Sequence, residues 1–176
     1  MPISPASELA SLPHRYVGSG PYRIREQSER RVIVERFDDY WGQPARYDEI
    51  RWIPEPDPGR RVDALLDDAL DEEVVVLQGV DVGSLDPHNE ASLVAHNIFR
   101  HIFDSLIHLN ENLELVPGLA ESWEYLDPRT VRFNLRQNAV WHNGDPFTAA
   151  DVAAAKRRPG SNNDWVLTQD LLASRG

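Results

Sequence analysis

The sequence predicts an α/β fold, a single lobe in which a mixed sheet is flanked by helices. Two observations support this prediction. Short β-rich segments with alternating residues occur near the start of the chain and again after residue 120, and segments with apolar residues at helical spacing lie between them. Strands that alternate with helices are typical of sheets covered by helices. The hydrophobic content of 41% is well above the range of disordered chains.

The first strands are expected in the segment VGSGPYRIRE and in the residues that follow it. Residues 22–25 alternate, residues 31–35 are β-rich, and the polar residues 27–30 lie between them, so a β-hairpin is predicted. The turn-rich loop FDDYWGQP comes next. Residues 48–54 alternate again, which indicates a third strand.

A helix, a strand and a second helix are predicted in the middle of the chain. After the break PEPDPGRR, five apolar residues follow at helical spacing: Val62, Leu65, Leu66, Ala69 and Leu70. The continuous apolar run at residues 74–77 fits a strand that is buried on both faces. Residues 93–107 are predicted to form an amphipathic helix, because apolar residues recur every four positions: Val94, Ile98, Ile102 and Leu106.

The last predicted elements are a hairpin and a helix. Residues 123–125 and 131–135 indicate two strands, joined by a turn. After the loop VWHNGDPF, Thr148 and Asp151 have the spacing of a capping box, in which Thr148 accepts from the Asp151 amide and the carboxylate reaches back. Pro159 should end this helix at residue 158. We therefore expect one lobe over residues 1–158 and a loose tail over residues 159–176.

Charge and composition exclude several classes of function. The net charge is -11, and residues 62–130 carry two basic and fifteen acidic groups. An acidic middle argues against nucleic-acid binding, which needs a basic surface. It is either a solvated face or a region that attracts cationic ligands. The chain has no cysteine, so disulfides and thiolate metal sites are excluded. No apolar run approaches the roughly 18–20 residues that cross a bilayer.

No catalytic motif is visible, and we expect that the protein is not an enzyme. Gly18 and Gly20 are not part of a phosphate loop, because the GK[ST] ending is absent and a proline follows where a helix amide would be needed. GxSxG does not occur, and the many carboxylates show no paired arrangement. The sequence predicts no cofactor.

Four segments resemble the signatures of a known family. They are SLDPHNEAS, PGLAESWE, VRFNLRQNAVWHNGDPFTAADV, and VGSGPYRIRE with VIVERFDDYWG. Each resembles a segment of the family 5 extracellular solute-binding proteins, the peptide, dipeptide and nickel receptors of ABC importers. The resemblance implies a fold like lobe I of a type II periplasmic binding protein. It also implies solute binding for import, with oligopeptides as the expected solute.

The order of these segments differs from that of the family. In the family the LDPH segment lies near the mature N-terminus and the GxGPY segment lies later. Here residues 1–72 resemble the later part of the first lobe, and residues 73–158 resemble its N-terminal part. The resemblance therefore implies a circular permutation or a fusion of two gene fragments. Permutation can preserve a fold when the joined ends are close in space. No segment resembles the second ligand-binding lobe.

The resemblance also implies where a ligand would bind, since the family holds its ligand in a cleft between two lobes. The candidate ligand-binding residues lie in two loops: Ser84, Leu85, Asp86, His88 and Asn89 in one, and Trp141, His142 and Asn143 in the other. Free amides at the start of the second helix could favour a ligand carboxylate. In the alternative interpretation, residues 86–87 form a tight turn and Asn89 or Ser92 caps the helix.

The aromatic and histidine residues also have two interpretations each. Four tryptophans could stack on a ligand or belong to the core: Trp41, Trp52, Trp123 and Trp141. Three histidines are expected on the second helix: His96, His101 and His108. Their spacings of five and seven do not make a compact ligand pair, so no metal site is predicted. A nickel or haem ligand role is the alternative that the family suggests.

Localisation and partners follow from the resemblance. The family is periplasmic or extracellular, but the first residues show no basic n-region and no apolar h-region. We therefore expect either a cytoplasmic protein or a fragment of an exported one. The expected partners are a weakly bound peptide or other small solute and an ABC permease. The alternative function is a truncated or engineered lobe without a transport role, which would associate with itself as a homodimer.

Overall fold

A computed structural model describes residues 16–28, 30–67, 73–80, 82–87, 90 and 92–157. The chain divides into two compact units. One, the sheet unit, is Gly20–Ile102, and the other, the hairpin unit, comprises Met1–Ser19 and Phe103–Gly176. Each unit is a mixture of strands and helices. In the described residues, no helix has the length and apolar character needed to cross a membrane.

The sheet unit contains a four-stranded mixed sheet. Its elements are β1 Tyr22–Ser28, β2 Arg31–Arg36, β3 Glu49–Pro54, α1 Pro58–Asp67, β4 Glu73–Gln78 and α2 Leu93–Ile102. The strand order is β1-β2-β3-β4. The first three strands are antiparallel, and β4 pairs with β3 in parallel, with Ile50 opposite Val74. The predicted hairpin and third strand are thereby confirmed.

The core of the sheet unit lies around β2, β3 and α2. Val32, Ile33 and Val34 are all buried, and since successive residues of a strand point to opposite faces, β2 is covered on both. From β3, Ile50 and Trp52 are buried. α2 contacts β1 and buries its apolar stripe: Ala95, Ile98, Phe99 and Ile102.

Two predictions about β4 and α1 are corrected. β4 was expected to be buried on both faces, but it is the edge strand of the described sheet and Val75 is 44% exposed. A continuous apolar run does not by itself tell a central strand from an edge strand.

Helix α1 begins at Pro58, four residues before Val62. The Asp57 carboxylate accepts a 2.9 Å hydrogen bond from the Arg60 amide and so caps the helix at this point. Predicted helical residues 68–70 lie outside the described residues.

The second helix is shorter than predicted. α2 ends at Ile102, not at residue 107, and the Ile102 carbonyl accepts a 2.9 Å hydrogen bond from the Gly20 amide. Further along, the Leu106 carbonyl accepts from the amides of Gly118 and Ala120. These bonds to residues far away in sequence replace the continuation of the helix. His108 therefore lies on a strand and not on the helix with His96 and His101.

The hairpin unit contains two small antiparallel sheets and a helix. Its elements are β5 Ile107–Leu109, β6 Leu115–Pro117, β7 Ala120–Asp127, β8 Thr130–Leu135 and α3 Ala149–Arg157. β5 pairs with β6, and β7 pairs with β8, where Trp123 lies opposite Phe133. The β7–β8 hairpin is thereby confirmed. The buried residues of this unit include Leu119, Trp141, Phe147 and Val152.

The four tryptophans that were predicted either to stack on a ligand or to belong to the core differ in their burial. Trp52 and Trp141 are buried at 2% and 0% exposure, so for these two the core interpretation holds. Trp41 and Trp123 are only half-buried. Strand β7 is mostly exposed and β8 is mostly half-buried, so this hairpin does not enclose Trp123 in a core.

The junction between the two family-like blocks falls between α1 and β4. Strand β4 belongs to the second block, and it pairs over its whole length with β3 of the first. Residues of both blocks therefore share one sheet. The boundaries of the two compact units lie elsewhere, at residues 19–20 and 102–103. A single lobe over residues 1–158 stays a prediction.

Gly20→Ala is expected to destabilise the sheet unit by about 1–3 kcal/mol. A Cβ at this position would lie 2.7 Å from the His101 carbonyl oxygen and 2.7 Å from the Ile102 carbonyl carbon. Both are backbone atoms, so no side-chain rotation can relieve the clash. Gly83→Ala is the control, since its nearest neighbour is a Glu90 carboxylate oxygen at 3.7 Å. Urea unfolding measures both. Equal losses for the two variants would show that the close approach at Gly20 is not what matters.

The stability of the sheet unit is expected to fall as the pH drops from about 7 to about 5. Burial lowers the pKa of His101, while its hydrogen bond to the Asn97 carbonyl partly opposes this shift and the charge of Arg100 adds to it. The unfolded chain therefore takes up the His101 proton at a higher pH than the folded chain. The contribution of neutral His101 to the free energy of unfolding is complete above about pH 6.5, and it is lost as the pH falls through the lowered pKa of the folded chain.

The test of this pH dependence compares two histidines on α2. His101→Gln should flatten the dependence of the unfolding free energy on pH, because it removes the half-buried, titratable ring that contacts Tyr22 and Trp52. His96→Gln is the control, since His96 is exposed. Urea unfolding at several pH values gives the slopes. An unchanged slope in His101→Gln would assign the pH dependence to other groups.

Candidate functional site

The first candidate loop, residues 82–87, follows β4 in the sheet unit. Leu85 and Asp86 are buried at 0% and 8% exposure, and Ser84 is half-buried. The Ser84 hydroxyl accepts a 3.1 Å hydrogen bond from the Asp86 amide, and the Asp86 carbonyl accepts one of 3.0 Å from the Glu90 amide. The loop is therefore a closed turn whose apolar side chain contributes to the core.

The start of α2 is capped by Ser92. Its hydroxyl accepts a 3.2 Å hydrogen bond from the Ala95 amide, and its own amide donates to the Glu90 carboxylate at 2.8 Å. Of the two predicted caps, the structure therefore supports Ser92. The negative charge of Glu90 beside this turn would repel a ligand carboxylate, which weighs against the expected anion position. His88 and Asn89 lie outside the described residues.

The second candidate loop, residues 139–147, belongs to the hairpin unit. Trp141 is fully buried, and its ring contacts that of Phe147 edge-on at 5.7 Å. Its amide donates to the Asp145 carbonyl and its carbonyl accepts from the Gly144 amide, both at 2.8 Å. Gly144 has a φ of +88°, a left-handed conformation that suits glycine. The tight turn thus orients the two residues between Trp141 and Gly144.

A single carboxylate ties this loop to α3. The Asp151 carboxylate is buried and accepts from the Thr148 amide at 2.8 Å, from the Thr148 hydroxyl at 2.9 Å and from the Trp141 indole at 3.4 Å. The carboxylate half of the predicted capping box is confirmed. The Asp151 amide donates to the Thr148 backbone carbonyl, and the Thr148 hydroxyl donates rather than accepts.

His142 and Asn143 use their polar groups locally. The His142 amide donates to the Gly18 carbonyl at 2.9 Å, and its Nδ1 accepts from the Gly18 amide at 3.2 Å. A neutral ring in this arrangement carries its proton on Nε2. The Asn143 side chain bonds both the amide and the carboxylate of Asp145, and Asn143 is exposed. The loop therefore presents an imidazole N–H and a carboxamide at or near the surface.

Sequence reasoning missed two participants in this arrangement. From the sequence, Gly18 was considered only as a phosphate-loop residue, a role that was excluded, and as part of a family-like segment, although both of its backbone groups bond His142. Ser19 beside it is buried at 0% exposure, and its hydroxyl has no hydrogen-bond partner in the described part of the chain. No local pattern marks Gly18, because its partner His142 lies 124 positions away in the sequence.

The predicted site residues fall in two loops, one in each unit. Ser84, Leu85 and Asp86 lie together, as do Trp141, His142 and Asn143. Among the side chains that the structure describes, no three histidine or acidic residues converge as metal ligands. His108 Nε2 lies 3.7 Å from the Asp104 carboxylate on the same unit.

Comparison with known proteins finds one family model that matches most of the chain. The model for bacterial extracellular solute-binding proteins, family 5, middle region, matches residues 4–91 and 114–167. Both candidate loops lie inside these residues. No solved structure matches the chain.

Curated relatives match short stretches of the chain. It is 39% identical over 92 residues to the periplasmic oligopeptide-binding protein OppA of Haemophilus influenzae, which covers 51% of this chain and 17% of the relative. It is 40% identical over 75 residues to the periplasmic murein peptide-binding protein MppA of Escherichia coli, covering 43% and 14%. It is 37% identical over 76 residues to the dipeptide-binding protein DppE of Bacillus subtilis, covering 43% and 14%. The chain thus spans less than a fifth of the length of these relatives.

Asp151→Ala is expected to destabilise the hairpin unit by about 1–3 kcal/mol, because two buried or partly buried donors, the Trp141 indole and the Thr148 amide, lose their acceptor. Asp145→Ala is the control in the same loop, because the Asp145 side chain is exposed and accepts a 2.8 Å hydrogen bond from the Asn143 side chain. This change should cost about 0.5 kcal/mol or less. Urea unfolding followed by tryptophan fluorescence compares them, and a smaller loss for Asp151→Ala than for Asp145→Ala would contradict the assigned role.

Proposed function

The chain belongs to the family 5 bacterial extracellular solute-binding proteins, and from this premise we propose that it is a peptide-binding segment of an importer receptor. The observation that carries the proposal is the position of the matched residues, which include both candidate loops. The relatives OppA, MppA and DppE are named for binding oligopeptides, murein peptides and dipeptides. Peptides are accordingly the solute class that we assign to this chain.

The chemistry of the two loops suits a peptide. A peptide backbone offers N–H and C=O groups along its length, and these require donors and acceptors that are accessible to a ligand. Ser84, His142 and Asn143 supply a hydroxyl, an imidazole N–H and a carboxamide. The acidic stretch of residues 62–130 would attract the positively charged amino terminus of a peptide. No covalent step or cofactor is needed for this role.

We further propose that the two family-like blocks form one first lobe in permuted order. The support is the parallel pairing of β4 with β3, which joins the second block to the first in one sheet. Permutation keeps a fold when the strands still find the same neighbours. An ABC permease is the partner that this role requires.

A lone lobe without a transport role is the second candidate function. In this candidate the chain associates with itself and does not serve an importer. If the rest of such a receptor were absent, the open face would favour self-association into a homodimer. The two candidates differ in whether a peptide binds at all.

Binding by this chain alone is expected to be weak. Each hydrogen bond to a ligand in an open, hydrated cleft contributes about 0.5–1.5 kcal/mol. The ligand loses translational and rotational freedom at a cost of about 4 kcal/mol or more. A few hydrogen bonds barely exceed this cost, so a dissociation constant of about 1 mM or higher is expected.

A nuclear magnetic resonance titration with mixed oligopeptides, up to about 10 mM, tests the proposal at the affinity it predicts. The amide signals of Ser84, Asp86, His142 and Asn143 should shift, while those of the β1–β2 hairpin should not. Asn143→Ala should weaken binding about two- to tenfold, the effect of one hydrogen bond. Asn112→Ala is the matched control, an exposed asparagine in another turn of the same unit.

Two results would count against this proposal in different ways. Shifts spread evenly over the chain, or none at all, would remove the peptide-binding role and leave the lone lobe as the better candidate. Micromolar binding by a species that light scattering shows to be monomeric would mean that the chain is a working receptor by itself. Light scattering in the same series reports whether a homodimer forms.

A further inference from the structure

The β5–β6 hairpin, residues 107–117, has a loop whose conformation calls for glycine. The Leu113 amide donates to the Asn110 carbonyl, and the Asn110 amide donates to the Glu114 carbonyl, both at 3.0 Å. This is the arrangement of a three-residue hairpin loop, in which a turn is followed by one left-handed residue. The left-handed residue here is Leu113, with a φ of +62°. Its Cβ makes this conformation unfavourable, and glycine or asparagine is the usual occupant.

Burial does not compensate for this strain. Leu113 is 78% exposed, and two further leucines of the same hairpin, Leu109 and Leu115, are 56% and 54% exposed. Leu109 and Leu115 lie directly opposite each other, so their side chains point to the same face of the hairpin. The hairpin therefore carries three exposed leucines within seven residues, one of them in a strained conformation. We call these three residues the leucine patch.

The surroundings of the leucine patch are acidic. Glu111 and Glu114 lie in the same loop and are exposed, and Glu114 accepts a hydrogen bond from the Asn110 carboxamide at 2.8 Å. The sequence has no lysine or arginine between Arg100 and Arg129. A surface that approaches the leucine patch therefore meets negative charge at its rim.

We propose that the leucine patch is a docking surface for a protein partner whose apolar surface is framed by lysine or arginine. The apolar side chains would be buried in the complex, and the glutamates would face opposite charges. An anionic membrane would be repelled by Glu111 and Glu114. A second copy of this chain would bring the same glutamates together across a two-fold axis, which is unfavourable. The strained leucine is retained because its side chain makes the contact, not because the fold requires it.

The test uses two synthetic amphipathic helical peptides as probes, one of leucine and lysine and one of leucine and glutamate with the same pattern. The full chain should bind the lysine peptide, and the glutamate peptide should bind at least about tenfold more weakly. Leu113→Asn should weaken binding of the lysine peptide about tenfold or more, because one leucine is no longer buried. Leu93→Asn is the matched control, an 85% exposed leucine outside this hairpin, and it should leave binding unchanged.

A stability measurement separates contact from structural support. Leu113→Asn and Leu113→Gly should melt at the same or a higher temperature than the unchanged chain, since both residues tolerate the left-handed conformation. Lower melting temperatures for both would show that Leu113 supports the fold, and would overturn the proposal. Unchanged binding in Leu113→Asn, equal loss in Leu93→Asn, or equal binding of the two peptides would overturn it as well.

Discussion

The backbone hydrogen bond from Gly20 to the carbonyl of Ile102 is the constraint on which the sheet unit depends. It sets the point where the chain enters β1 and the point where α2 ends. A side chain at residue 20 would occupy the space of the helix backbone, so glycine is required by a close approach and not by an unusual φ. With the two segments fixed, Tyr22 and Trp52 close around His101, and the ring becomes buried enough to lower its pKa. The core of the unit is thus built around one backbone contact.

The loop that carries Trp141 depends in the same way on Asp151. One buried carboxylate accepts from the backbone and hydroxyl of Thr148 and from the indole, so the start of α3 and the loop are held together. The Gly18 carbonyl accepts a hydrogen bond from the His142 amide, and the Gly18 amide donates one to the His142 ring. Buried polar groups are costly unless they are paired, and in this loop the pairing fixes how the side chains are oriented. In this loop the pairing places the His142 ring against Gly18 and the Asn143 carboxamide against Asp145.

The family match includes both polar loops, whose side chains are held by local hydrogen bonds. It does not explain the leucine patch. The loop of the β5–β6 hairpin departs from the usual choice of turn residue and exposes apolar surface at the same position. Local rules of this kind are most often broken where a residue serves another purpose. The polar loops and the leucine patch therefore lie on different segments of the chain.

From the sequence alone, local patterns and the family resemblance predicted several features of the fold. These are the α/β class, the hairpins β1–β2 and β7–β8, the strand β4 and the start of α2. Hydrophobic periodicity and turn residues act over a few positions, and they sufficed for these elements. The tertiary structure alone decided where α2 ends, that β4 is an edge strand, and that Gly18 bonds His142. The helix was predicted too long because apolar residues continue past Ile102, whereas the carbonyls of Ser105 and Leu106 bond residues 118–120 instead. Such bonds join residues far apart in sequence, and periodicity contains no information about them.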